Sequence, residues 1–210
     1  AFARGIPKLA EDLLTVRPTV LISVPRIFER IYAKIKEDLA NKPQLLRWLF
    51  NLSVDVGWRR FECSQGQAKY SPTICLWPLL DLLVAKKLRK RFGGKLKCAI
   101  CGGAPVAPSI SRIFIALGIP ILQGYGLTEA SPVISVNRLK KNIPASIGPV
   151  LPGVKVCIGE NDELLAKGDS VMMGYWNRPE ETRKVIEDGW LHTGDKARIE
   201  DDYIYITGRL

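Results

Sequence analysis

"KLKCAICGGAP", Lys95 to Pro105, decides the fold class. A short apolar run ends in paired glycines, the signature of a buried strand entering a tight turn. "SISRIFIALG" follows, with apolar residues at helical spacing and Gly118 as terminator. "IPILQGYG" then repeats the first pattern, a strand running into a glycine turn at Gly124 to Glu129. Strand, helix and strand in this order predict a βαβ unit and hence a parallel sheet. Ligands of such sheets bind beyond the strand C-termini, where both glycine segments should lie.

Upstream, "TVLISV" (Thr19–Val24) reads as a short buried strand, and Pro25 opens a helix. Ile27, Phe28, Ile31, Tyr32, Ile35 and Leu39 form its apolar face until "NKP" breaks it. A second helix is expected from Gln44 to about Gln67, and a third from Pro78 to Phe92, stopped by Gly93–Gly94. Downstream of about Val133 the texture changes. "SIGPVLPGVKVCI", "ELLAKG", "WLHTGDKARI" and "DYIYITGR" are short β-type pieces, with "GENDE" and "EDD" as hairpin turns. The expected architecture is α/β: residues 1–134 form a parallel-sheet subdomain with a helical insert, and residues 135–210 a small β-rich, barrel-like one.

The bulk numbers set limits. The 210 residues are 47% hydrophobic, with mean hydropathy +0.04, which suits an ordinary globular core. No stretch approaches the ~20 apolar residues of a membrane span, because "ICLWPLLDLLVA" is interrupted by Pro78 and Asp81. No secretory signal opens the chain and no initiator methionine is present, so an excised piece of a longer protein is expected. Five scattered cysteines suit free thiols in a reducing, cytoplasmic setting. The net charge of +10 favours anionic partners without choosing among them.

Gly124, Tyr125 and Gly126 combine bare backbone with an aromatic face, which suits a stacked base. Thr128 and nearby backbone donors suit a phosphate, and Glu129 suits a Mg²⁺ that is itself phosphate-bound. The competing reading is a tight loop with Glu129 opening a helix. Glu129 stands where a dinucleotide fingerprint would carry its third glycine, which excludes that motif. Gly102, Gly103 and Ala104 offer either close backbone approach or a plain turn. Asp195 either accepts ribose hydroxyls or caps a turn. Arg209 contacts ribose or phosphate, or is simply solvated. His192 is the only histidine, which excludes multi-histidine metal sites, and it reads as structural. Cys98 and Cys101 lack a second pair and read as small buried hydrophobes rather than a zinc or redox site. "KKLRKR" (Lys86–Arg91) reads as cations favoured at a helix C-terminus. A peripheral membrane surface is its functional alternative, and no nucleic-acid motif accompanies it.

"CGGAPVAP", "QGYGLTEASP", "GYWNRPEET", "DGWLHTGD" and "YIYITGR", in that order, resemble the adenylate-forming enzymes: acyl-CoA synthetases, luciferases and peptide-synthetase adenylation domains. "TVLISVPRIFERIYAKI" and the helical insert after it are similar to the long-chain fatty acyl-CoA synthetase branch. The resemblance implies ATP, Mg²⁺ and coenzyme A as reactants, with a fatty acid activated as acyl-adenylate and transferred to the thiol. It implies Tyr125 on adenine, Gly102, Gly103 and Ala104 along the base pocket, and Gly124 and Gly126 beside the nucleotide. It also implies Thr128 on phosphate, Glu129 on Mg²⁺, and Asp195 with Arg209 at the ribose. Thr128 and Glu129 carry the catalytic expectation. The family's phosphate loop ending in lysine and its small lysine-bearing C-terminal domain are not found in the sequence. The expectation is therefore a piece of the large N-terminal domain that does not turn over alone. The rival expectations are a ligase of another acid (aryl, short-chain or amino acid) and a non-catalytic nucleotide-binding module.

Overall fold

Proline and glycine set most of the element boundaries in the computed structural model, which describes the backbone of residues 1–210 and every side chain but that of Ile6. Two compact units, Ala1–Leu122 and Gln123–Leu210, make up the chain. The texture change at 134/135 thus falls inside the second unit. The first break in packing comes earlier, in the middle of a strand.

The first unit begins with α1 (Leu9–Val16), capped by Arg17 in the left-handed region at φ 50°. β1 (Val20–Ser23) follows, then α2 (Pro25–Ala40), whose first residue is a proline because that position needs no N–H partner. α3 (Gln44–Ser64) matches the expected second helix within three residues at its end. The expected third helix is compound: α4 (Trp77–Leu80), a π-helical turn over Asp81–Ala85, and α5 (Lys86–Arg91). Gly93 and Gly94 end it at φ 82° and 73°, conformations that cost glycine nothing. β2 (Cys98–Cys101), α6 (Pro108–Ala116) and the start of β3 (Ile121–Gly126) complete the unit.

β1 and β2 pair in parallel, Val20 opposite Cys98 and Ser23 opposite Cys101, so the long helical insert is itself the crossover between parallel strands. The sheet order is β1-β2-β3-β4, with β3 and β4 (Val133–Val136) antiparallel. The core of this unit is built on Phe28, Phe92 and Phe114, whose rings meet edge-on at 5.2 and 6.0 Å. α3 packs against α6 at Gly57, where a Cβ would sit 2.1 Å from the Ala116 carbonyl oxygen. β1 is not the buried strand expected from "TVLISV". Val20, Ile22 and Val24 are exposed, Ile22 at 80%, because β1 ends the sheet order and only alternate side chains turn to the core.

The second unit is antiparallel and five-stranded beyond β4. β5 (Val154–Ile158), β6 (Glu163–Gly168), β8 (Trp190–Glu200) and β7 (Ile186–Glu187) run in that spatial order, and β9 (Tyr203–Arg209) pairs with β8. α7 (Pro179–Val185) leads into β7. The hairpins expected at "GENDE" and "EDD" join β5 to β6 and β8 to β9, with Asn161, Asp162, Asp201 and Asp202 in left-handed turn conformations. Its apolar centre comprises Ile134, Ala166 and Leu191 in one cluster and Leu164, Ala197 and Ile204 in another. Among the described residues no helix is long and apolar enough to cross a membrane.

Candidate functional site

Tyr125 lies inside β3 rather than in the loop after it. Gly124, Tyr125 and Gly126 all belong to the strand, paired with β4 across a register shift at Tyr125/Gly126. Gly126 is required by the chain itself: a Cβ there would fall 1.7 Å from the Pro132 carbonyl oxygen. At Gly124 the same atom would meet Ser135 at an ordinary 3.5 Å. The shift tilts the half-buried Tyr125 ring against both apolar clusters of the second unit, so part of its surface already serves as core. Its hydroxyl donates to Asp195 Oδ2 at 2.6 Å. Burial first, then this bond to a carboxylate, holds the hydroxyl protonated far above the usual tyrosine range.

Asp195 lies within β8, not at a turn, and a distorted stretch of strand positions it. Gly194 is left-handed at φ 71°, and its N–H donates to Glu163 Oε1. The Asp195 N–H donates to Thr193 Oγ1, and that hydroxyl donates in turn to the Leu164 carbonyl. Directly opposite on β9 stands Arg209, with Nε 3.4 Å from Asp195 Oδ1. Arg209 is mostly exposed, whereas the Asp195 side chain is only 15% so. A half-buried acid thus shares its two oxygens between a tyrosine hydroxyl and a guanidinium. The same Glu163 that supports Gly194 holds His192 Nδ1 at 2.8 Å, which gives the lone histidine a structural role.

Thr128 and Glu129 occupy a 3-10 turn, Thr128–Ala130, directly after β3. Thr128 is exposed, and among the described residues its hydroxyl has no partner. Glu129 is half-buried and accepts from the Tyr175 hydroxyl at 2.8 Å, while its own carbonyl takes the Met172 N–H at 2.7 Å. The segment carrying "GYW" is thereby tied to the turn carrying "LTE". Among the described residues no group of three or more His, Cys, Asp or Glu is placed to hold a metal. A single carboxylate, half-occupied by one hydroxyl, fits a cation that draws most of its ligands from phosphate and water.

Gly102, Gly103 and Ala104 belong to the first unit, immediately after β2. Gly103 is left-handed at φ 84° and exposed, with open space where a Cβ would stand. Cys98 and Cys101 are both buried, and burial pushes the Cys101 thiol up to about 11. Two contributors escape sequence reading: Tyr175, which braces Glu129, and Thr193, which braces Asp195. Tyr175 reaches Glu129 across 46 residues, and Thr193, two residues from Asp195, is itself fixed by Leu164 29 residues away, which no local pattern signals.

A parallel-sheet α/β unit followed by a curled antiparallel unit, with an acid and an arginine on adjacent strands and a tyrosine reaching the acid from the other sheet, defines the class. The chain belongs to the AMP-binding enzyme family, whose model matches residues 2–176. It is similar to the long-chain-fatty-acid–CoA ligase FadD15 of Mycobacterium tuberculosis, 31% identical over 215 residues, covering 99% of this chain and 34% of that protein. Long chain acyl-CoA synthetase 3 of Arabidopsis thaliana is 31% identical over 219 residues, covering 96% of this chain and 32% of that protein. Among solved structures, apo MatB from Rhodopseudomonas palustris superposes with a TM-score of 0.63 at 25% identity, covering 98% of this chain and 33% of that one. The N-terminal domain of FACL13 from Mycobacterium tuberculosis shares the fold, with a TM-score of 0.60 at 23% identity over 98% of this chain and 42% of that one. The chain spans about a third of the length of the curated relatives it matches.

Proposed function

We propose that this chain supplies the adenylate-binding face of an AMP-forming ligase that joins a long-chain fatty acid to coenzyme A. The observation that carries the reading is the 2.6 Å bond between Tyr125 and Asp195. It unites an aromatic ring and a half-buried acid, separated by 70 residues, in the second unit. In this reading the free part of the Tyr125 ring stacks on adenine. Asp195 accepts from the ribose hydroxyls, and Arg209 swings from its weak 3.4 Å contact toward the nucleotide. Thr128 donates to phosphate. Glu129 would hold Mg²⁺, whose charge would screen the phosphates. Tyr175 keeps the Glu129 carboxylate aimed, and Gly103 leaves its backbone open to close approach by a ligand. The names of the relatives support a fatty acid as substrate. Ligase turnover is proposed for a protein of the relatives' length, and adenylate binding for this chain.

Calorimetric titration of the chain with a non-hydrolysable acyl-adenylate analogue tests the reading. Saturable binding is expected, weakened at least about tenfold by Asp195→Asn, since a charged hydrogen bond to ligand is worth ~1.5–3 kcal/mol. Glu129→Gln should reduce the Mg²⁺ dependence of ATP binding while leaving AMP binding intact. Unchanged affinity in Asp195→Asn would overturn the assignment. Analogues of graded acyl length test the substrate class, with no gain from longer chains counting against a fatty acid.

A further inference from the structure

In the first unit, α1, α2 and the end of α5 line an open recess of about 610 Å³. Its walls are Leu9, Leu13, Ile27, Ile31 and Phe92, and its rim carries Arg30, Lys34, Lys90 and Arg91. A second recess of about 580 Å³ shares Leu14 and Lys90 with it and adds Arg17, Lys86 and Arg89. One is oily and the other cationic, and they meet at two common residues. We propose that the pair forms a binding site for a single-chain amphiphile with a phosphate-type head, separate from the adenylate face.

The charges argue for a missing anion. Arg91 is paired with Asp38 and Arg89 with Asp81. Among the described residues Arg30, Lys34 and Lys90 have no carboxylate partner. Arg30 and Lys34 stand four apart on α2, where like charges repel. An anionic head at the rim relieves that repulsion, and an alkyl chain covers exposed Leu14 and half-buried Ile27 and Ile31, the part of the apolar lining that the fold leaves uncovered. The volume lies within the ~300–1,000 Å³ typical of small-molecule sites. The junction is also pre-formed. Arg17, held left-handed, donates from Nε to the Gly93 carbonyl at 3.0 Å. A Cβ at Gly93 would come within 2.5 Å of the Leu13 carbonyl oxygen, so α1 seats directly on the backbone behind α5.

Calorimetry with alkyl phosphates of increasing chain length, each below its micellar concentration, tests the site on the 210-residue chain. Binding should saturate and tighten about two- to fourfold per added methylene, the scale of methylene burial. Inorganic phosphate and a neutral alkyl glycoside of equal chain length should each bind at least about tenfold more weakly, since each satisfies only half of the site. Ala10→Trp, an exposed lining position, should block the cavity, and Lys34→Glu with Lys90→Glu should abolish head-group affinity while far-UV circular dichroism stays unchanged. Asp195→Asn should leave alkyl phosphate binding intact, which separates this site from the adenylate reading. Wild-type affinity in Ala10→Trp, equal affinity for inorganic phosphate, or binding only to phosphatidylserine vesicles and not to monomeric alkyl phosphate would each overturn the proposal.

Discussion

Gly124 and Gly126 stand two residues apart on one strand and answer to different constraints. Gly126 is fixed by its own neighbour, since any Cβ collides with the Pro132 carbonyl. Gly126→Ala should destabilise the second unit by at least about 2 kcal/mol, the scale of forced overpacking. Gly124→Ala should cost under about 1 kcal/mol, because its Cβ finds ordinary contact distances. Urea denaturation of both variants checks the contrast. "GYG" reads in sequence as room for a ligand, yet one of its glycines makes room for the protein's own backbone. The cysteines divide in a similar way. Buried Cys101, its thiol pushed up to about 11, should resist a thiol reagent at pH 8 until the chain is unfolded. Exposed Cys75 should react at once, and mass spectrometry of the modified peptides distinguishes them.

At the scale of elements, the helical run across residues 77–91 is held by one ion pair that its π-helical turn permits. Arg89 makes two hydrogen bonds to Asp81, at 2.7 and 2.9 Å, and a third to the Leu117 carbonyl at the end of α6. Eight residues is more than two helical turns, and the wider i→i+5 turn between the partners changes their relative placement. The Arg89 hydrogen bond is the main reason the Asp81 carboxyl is held below its usual range. A lowered acid contributes stability that is complete above its unfolded pKa and is lost as pH falls through the folded value. Asp81→Asn should therefore cost on the order of 1 kcal/mol from neutral pH down to about 4, with the gap from wild type closing in more acid solution. Denaturation midpoints across that range check it. The helices themselves are legible in the sequence, because Ile27 to Leu39 repeat with local periodicity and Gly93–Gly94 stop the chain locally. The π turn is not legible, since it depends on the end of α6. Nor is the contact between Tyr125 and Asp195, which joins β3 of one sheet to β8 of the other and forms only once both sheets are built.

For the molecule as a whole, charge was the most ambiguous sequence signal, and the structure distributes it unevenly. Arg89 and Arg91 in the "KKLRKR" run have acidic partners, while Lys90 opens onto two recesses. Composition cannot distinguish these cases, because partners such as Asp38 lie far away in sequence. The same non-locality explains why "TVLISV" reads as buried. An apolar strand at the centre of a sheet and one at its rim look alike in sequence, and only the strand order separates them. β1 consequently presents a row of unpaired main-chain donors and acceptors beside Val20 and Ile22. That row is a template on which another copy can add a strand, and each addition exposes a fresh one. Concentrated solutions should accumulate elongated aggregates with rising thioflavin fluorescence. Ile22→Lys should suppress this growth without altering the melting temperature, since its side chain already points into water.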